Sequence, residues 1–169
     1  CAMKVLNGKI VVITGGAAGI GREMALAFAE EKARLVLLDI NPDQLETTVA
    51  ELTRQGAAAS GYRCDVSDPE SVSQVAANVM EDFGHADVLV NNAGIVIGKP
   101  AAEVTYEELR RIVDINTVGV MWMTRQFIGD MMTRNSGHIV NIASASGLLG
   151  VPRQTDYCAT KFAVVGYSD

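Results

Sequence analysis

Three kinds of residue are scarce in this chain, and each scarcity removes a class of protein. Cysteine occurs three times in 169 residues, at Cys1, Cys64 and Cys158. An odd, widely spaced set does not read as a disulfide framework; it fits a reducing compartment and an expected cytoplasmic location. Histidine occurs twice, at His85 and His138, neither with a second ligand at metal spacing, so no metal centre is expected. Basic residues number 14 against 20 acidic ones, a net charge of -6, and form no dense patch. Nucleic acid is therefore not an expected partner. No apolar run approaches the ~18 residues of a membrane span, and no secretory leader is visible. What remains is a globular composition, 49% hydrophobic and 20% charged, of a length that suits one domain with a sizeable core.

The most informative stretch runs from Lys9 to Glu31. Ile10-Val11-Val12-Ile13-Thr14 is a short β-branched run, read as a strand buried on both faces. Gly15-Gly16-Ala17-Ala18-Gly19-Ile20-Gly21 is a glycine-rich turn. Ile20, Met24, Ala27 and Phe28 then recur at helical spacing as an inward stripe. Strand, glycine turn and helix together cradle a pyrophosphate. Free N–H groups and the positive end of the helix dipole face the anion, and glycines let the backbone approach closely. A second apolar run, Leu35 to Leu38, ends in Asp39, 18 residues after Gly21. That is where a dinucleotide-binding unit keeps the carboxylate that accepts hydrogen bonds from the adenine ribose.

Strands and helices alternate from there on. Residues 34–39, 58–63, 87–91 and 137–143 read as the second to fifth strands. Asn41-Pro42 opens a helix with Gln44 reaching back, and Leu45, Val49 and Leu52 face inward. Ser67-Asp68-Pro69 opens another, with Val72, Val75, Ala76 and Val79 inside and Gly84 at its end. Thr105-x-x-Glu108 is a capping box for a long helix to about Arg134. Leu109, Ile112, Val113, Asn116, Val120, Met123, Phe127 and Met131 share its inner face. A last helix starts near Thr155. The alternation predicts an α/β fold: a doubly wound parallel sheet with helices on both faces. Ligands bind such sheets at the carboxyl ends of the strands, where Gly15–Gly21, Asp39, Asp65, Asn91–Gly94 and Ser144 all fall.

Tyr157-Cys158-Ala159-Thr160-Lys161 sets a phenol and an ammonium four residues apart on one helix face. A phenol ordinarily titrates near 10. A neighbouring cation favours the phenolate and makes it a usable general base. Ser144, at the end of the fifth strand, places a hydroxyl opposite it for a shared substrate oxygen.

Taken together, Thr14-Gly15-x-x-x-Gly19-x-Gly21, Asp39, Asp65-Val66, Asn91-Asn92-Ala93-Gly94, Asn116, Ser144 and Tyr157-x-x-x-Lys161 resemble the short-chain dehydrogenase/reductase family over nearly the whole chain. The resemblance implies a Rossmann fold and an NAD-dependent short-chain alcohol dehydrogenase or carbonyl reductase. Tyr157 would exchange the proton, Lys161 would lower its pKa and hold the nicotinamide ribose, and Ser144 would orient the substrate oxygen. Asn116, at a local break in the long helix, would hold a water leading from Lys161 to solvent. Gly15, Ala18, Gly19, Ile20, Gly21, Asp39, Ile40, Asp65, Val66, Asn92, Ala93, Gly94, Tyr157 and Lys161 would bind the cofactor. Asp39 repels a 2′-phosphate and Ala18 and Ile40 offer it no cation, so the expected cofactor is NAD.

The expected substrate is a small-molecule secondary alcohol or ketone of lipophilic type: steroid, retinoid or fatty alcohol. Ile95, Val96, Ile97 and Leu148 to Pro152 would supply its apolar wall. The family habit of pairing through the long helix and the Tyr157 helix implies a homodimer or homotetramer. It also implies a sixth and seventh strand and a substrate lid beyond Asp169. Residues 1–169 are thus expected to be a single dinucleotide-binding domain cut before its C-terminal strands. Two alternatives stand beside this reading: a catalytically silent dinucleotide-binding or interaction module, and an epimerase or dehydratase with no net NADH release.

Overall fold

A computed structural model describes residues 5–168. Five parallel strands run in the order β3-β2-β1-β4-β5: β1 Ile10–Thr14, β2 Arg34–Asp39, β3 Ala58–Arg63, β4 Val88–Asn91 and β5 His138–Asn141. Each is joined to the next by helices: α1 Gly19–Glu30, α2 Pro42–Arg54, α3 Pro69–Phe83, α4 Tyr106–Val113 and α5 Gly119–Thr133, with α6 Thr155–Ser168 after β5. Register is continuous across the centre, Val12 lying between Val36 and Leu89. The apolar runs of β1, β2 and β4 are buried on both faces because alternate side chains enter two separate cores. Val12, Val36, Leu38 and Leu89 pack with Val72, Val79, Met123 and Phe127 beneath α3 and α5. Val11, Ile13, Leu35, Leu37 and Val90 pack with Ala25, Leu45 and Leu52 beneath α1 and α2.

Local chemistry sets the helix ends where the sequence puts them. Asn41 Oδ1 accepts from Gln44 N at 3.1 Å, and Asp68 Oδ1 accepts from Glu70 N at 3.1 Å. Thr105 and Glu108 form the full reciprocal box. Gly84 closes α3 in the left-handed region at φ 78°. Gln44 lends its backbone, not its side chain, to the α2 cap, and the residue borders the cavity described below.

Three expectations change in space. The long helix is two helices, α4 and α5, joined by a π turn at Asp114–Val118. A π turn takes one residue more than an α turn; Ile112, Asn116, Val120, Met123, Phe127 and Met131 stay buried across it, but two residues of the expected face on α4 do not. Ile112 alone is buried on α4, while Leu109 is 44% exposed and Val113 also reaches solvent. On α1 the buried positions are Gly21 and Ala25; Ile20, expected inside, is 65% exposed at the mouth of the cofactor turn, and Ala27 also faces out. The close approach of Gly21 to Gly15 sets that rotation. β5 is shorter than residues 137–143 because its neighbour β4 ends at Asn91, opposite Asn141. Cys64 and Cys158 are free and buried; Cys1 and Asp169 lie outside the described residues. No helix among the described residues is long and apolar enough to cross a membrane.

At the amino edge of the sheet, Asp87 ties β1 to β4. Its carboxylate accepts from Ile10 N at 3.0 Å and from Lys9 Nζ at 3.1 Å, with His85 Nε2 at 3.3 Å. Burial pushes the Asp87 carboxyl up, but the Ile10 N–H, Lys9 and His85 together hold it below the ordinary value. A depressed folded-state pKa means stability that is present above the unfolded value, about pH 4, and is lost as pH falls through the folded value. Asp87→Ala strands the buried Ile10 N–H and should cost about 1–3 kcal/mol by urea unfolding at pH 7. The difference from the parent should shrink below pH 4. A constant difference down to pH 2 would show that the charge contributes nothing.

Candidate active site

The glycine turn is shaped by contacts that tolerate no side chain. Gly15 and Gly19 take φ of 61° and 51°, the left-handed region that favours glycine. A Cβ on Gly15 would lie 3.1 Å from Ala93 Cα, and one on Gly21 would enter the Gly15 carbonyl. Thr14 secures the turn to the end of β4: its Oγ1 accepts from Asn92 N and Ala93 N, each at 3.0 Å. Asn92 Nδ2 returns bonds to Thr14 O at 2.9 Å and Gly15 O at 3.1 Å. Thr14 and Asn92 thus act as brackets, in keeping with Thr14 as a turn residue.

Helices α2, α3 and α4 each carry a side-chain cap, whereas α1 has none and has no acid in its first turn. Its N-terminal N–H groups and dipole therefore face the cavity without a competing acceptor, as an anion site requires. Asp39 stands beside them. Its carboxylate accepts from Ala17 N and Asn41 N, each at 3.0 Å, which orients it while each oxygen keeps a lone pair. The residues present fit a dinucleotide: a close-approach glycine turn, an uncapped helix start and a carboxylate at the next strand end.

One cavity of about 590 Å³ spans this region. Gly15, Ala18, Gly19 and Ile20 line it from the turn, and Asp39 and Ile40 from the end of β2. Asp65 and Val66 come from the end of β3, and Asn92, Ala93 and Gly94 from the end of β4. Ser144, Tyr157 and Lys161 close the other end. Two expected site residues lie behind the wall. Gly21 is buried under Gly15. Asn116 is fully buried in the π turn, where Oδ1 accepts from Ile95 N at 2.8 Å and Nδ2 donates to Ile95 O at 2.9 Å and Thr160 Oγ1 at 3.2 Å. Its side chain pins the loop after β4 to α6.

Asp65 is also partly committed: Oδ1 accepts from Ser67 N and Ser67 Oγ at 3.0 and 2.6 Å. Lys161 is 5% exposed; Nζ donates to Ile142 O at 2.6 Å and lies 5.7 Å from the Tyr157 ring centroid. Burial lowers the Lys161 pKa. Ser144 Oγ accepts from Ser146 N at 3.1 Å, which leaves its proton free to donate. α6 is held close by Gly147, where a Cβ would stand 2.7 Å from Lys161 O. Val151 N also donates to Cys158 Sγ at 3.3 Å.

Several lining residues carried no motif: Gln44, Cys64, Arg111, Ile115 and Ala143. Burial pushes the Cys64 thiol up to about 11, which makes it a packing group at neutral pH. Ile95 and Val96 form the expected apolar wall with Ile115 and Ile142. Ile97 does not border the cavity, and Leu148 and Leu149 extend into solvent.

A glycine cradle at the carboxyl edge of a parallel, doubly covered sheet defines a Rossmann-type dinucleotide-binding domain. The chain belongs to the short-chain dehydrogenase family, whose model matches residues 9–169. It is 40% identical over 168 residues to epidermal retinol dehydrogenase 2 of Mus musculus, covering 98% of this chain and 54% of that protein. It is 38% identical over 164 residues to 17-beta-hydroxysteroid dehydrogenase 13 of Homo sapiens, covering 97% and 55%. The chain thus spans about half the length of the curated relatives it matches. A short-chain dehydrogenase/reductase from Burkholderia phymatum in complex with NAD superposes with a TM-score of 0.95 at 37% identity, covering 98% of this chain and 59% of that one. A metagenomic short-chain oxidoreductase in complex with NADP superposes at 0.91 and 31% identity, covering 96% and 74%.

Proposed function

We propose that this protein is an NAD(H)-dependent oxidoreductase that interconverts a lipophilic secondary alcohol and its ketone. The observation that carries the reading is that Ser144, Tyr157 and Lys161 share one cavity with the glycine turn and Asp39. A bound nicotinamide supplies the hydride acceptor for oxidation and the hydride donor for reduction. The chain's own residues handle position and protons. In the oxidising direction the Tyr157 oxygen takes the substrate hydroxyl proton as the carbinol hydrogen leaves as hydride. Ser144 Oγ donates a hydrogen bond to the same substrate oxygen. The buried Lys161 ammonium, fixed by Ile142 O, stabilises the negative charge on the Tyr157 oxygen. The backbone N–H groups at the start of α1 hold the pyrophosphate, and Asp39 takes the adenine ribose hydroxyls.

Lipophilic substrates are favoured by the wall of Ile95, Val96, Ile115 and Ile142, and by the relatives named for retinol and 17-beta-hydroxysteroids. The test is alcohol-dependent NADH formation by the full-length protein on a panel of secondary alcohols, with Tyr157→Phe as control. Turnover confined to small polar alcohols, or interconversion without net NADH, overturns this reading.

NAD over NADP is supported by Asp39 and by Arg22. The Arg22 guanidinium is bound to Glu51 at 2.6–3.1 Å and to Glu23 at 2.6 Å, so it is not free for a 2′-phosphate. We expect kcat/KM at least about tenfold higher with NAD, a difference of about 1.4 kcal/mol, and Asp39→Ser should narrow the gap. A higher kcat/KM with NADP would reverse the assignment. A homodimer or homotetramer, as family pairing implies, would cover Tyr106, Leu109 and Met132 on α4 and α5 and Phe162 on α6, all exposed apolar side chains. Sedimentation as a single chain removes that part of the proposal.

A further inference from the structure

Two adjacent arginines on α4 have different fates. Arg110 Nε is bonded to Asp114 at 3.0 Å on the outer face. Arg111 lines the cavity, and no hydrogen bond or ion pair engages its side chain among the described residues. Its place along the cavity follows from helix geometry. Ile115 is one turn on and also lines the cavity. Arg111 and Ile115 therefore stand one above the other on the α4 side of the cavity, and Ile115 packs against the cluster that holds Cys64 and Val66 at the end of β3. Ile40, Val66 and Ile115 make that end an apolar slot. Its two carboxylates already hold donors: Asp39 those of Ala17 and Asn41, Asp65 those of Ser67. Neither carboxylate is bonded to the guanidinium among the described residues. A planar, weakly hydrated cation left unpaired over an apolar slot suits the face of an aromatic heterocycle.

We infer that Arg111 stacks on the adenine ring of the dinucleotide, as a binding residue specific to the nucleotide half and indifferent to the nicotinamide half. This rests on the dinucleotide reading above, and the experiment separates the two. The full-length protein and its Arg111→Ala and Arg111→Lys variants are titrated with NADH, NADPH and reduced nicotinamide mononucleotide, which lacks adenine, by nicotinamide fluorescence. Because the Arg111 side chain is exposed and makes no bond, both variants should melt with the parent. Arg111→Ala should weaken NADH and NADPH alike by about tenfold, within the range of cation–aromatic contacts. The mononucleotide should stay within twofold of the parent. Arg111→Lys should recover little, since an ammonium offers no plane to stack. An unchanged NADH affinity, an equal loss for the mononucleotide, a loss confined to NADPH, or full recovery by Lys would each overturn the inference. A parent protein that binds none of the three would overturn the dinucleotide reading itself.

Discussion

Tyr157→Phe should leave alcohol-dependent NADH formation at or below about one-thousandth of the parent rate, while NADH binds as before. The expectation comes from what the hydroxyl alone supplies. A positioned general acid–base contributes about 10²–10⁴-fold to a proton transfer, and the Tyr157 ring stands with its centroid 5.7 Å from the Lys161 ammonium. Lys161 Nζ gives one donor to Ile142 O at 2.6 Å and keeps two for other acceptors. The Tyr157 hydroxyl makes no hydrogen bond among the described residues, so its removal should shift stability by less than about 1 kcal/mol, or a few degrees in melting temperature. Single-turnover rates and NADH titration separate the two effects. Rates equal to the parent would remove Tyr157 as the base, and a parent that forms no NADH would revive the silent-module reading. Loss of NADH binding in parallel would instead mark the ring as a structural wall of the cofactor site.

Gly21→Ala should damage both stability and cofactor binding, although Gly21 does not line the cavity. A Cβ there would penetrate the carbonyl of Gly15 and stand 2.7 Å from Asn92 Nδ2. The first obstacle is backbone, so the turn itself must move. Overpacking of this kind costs about 1–3 kcal/mol. The movement would carry Gly15 away from Ala93 and break the brackets that Asn92 places on Thr14 and Gly15. We expect a lower urea midpoint and at least a tenfold weaker NADH affinity. Gly129→Ala is the matched control. Gly129 lies inside α5 with nothing within 4 Å of its built Cβ. That change should stabilise by up to about 1 kcal/mol through helix propensity and leave binding alone. If Gly21→Ala binds NADH like the parent, the turn is not a rigid cradle.

Much of this molecule was legible from local patterns. β2 spans residues 34–39 as read, because a β-branched apolar run bounded by turns has one favourable environment, a sheet covered on both faces. The starts of α2, α3 and α4 were legible because caps are short-range hydrogen bonds between residues two or three apart. What was missed depends on phase. On α1 the true inner face is set by a close backbone approach at Gly21, and on α4 the exposure of Leu109 and Val113 goes with the π turn at Asp114–Val118; no periodicity count shows either. Arg111 and Ile115 escaped notice for the same reason: their place at the cavity depends on how α4 is rotated.

Composition, periodicity and capping by themselves determined an alternating parallel fold and the ends of the strands where a ligand would sit, since both follow from interactions within a few residues. Only the tertiary structure decided which side chains point into that space and which hold its walls. Asn116 and Gly21 act from behind the cavity and Arg111 stands within it because side-chain direction is the sum of every turn and contact along the chain, not a property of any one segment.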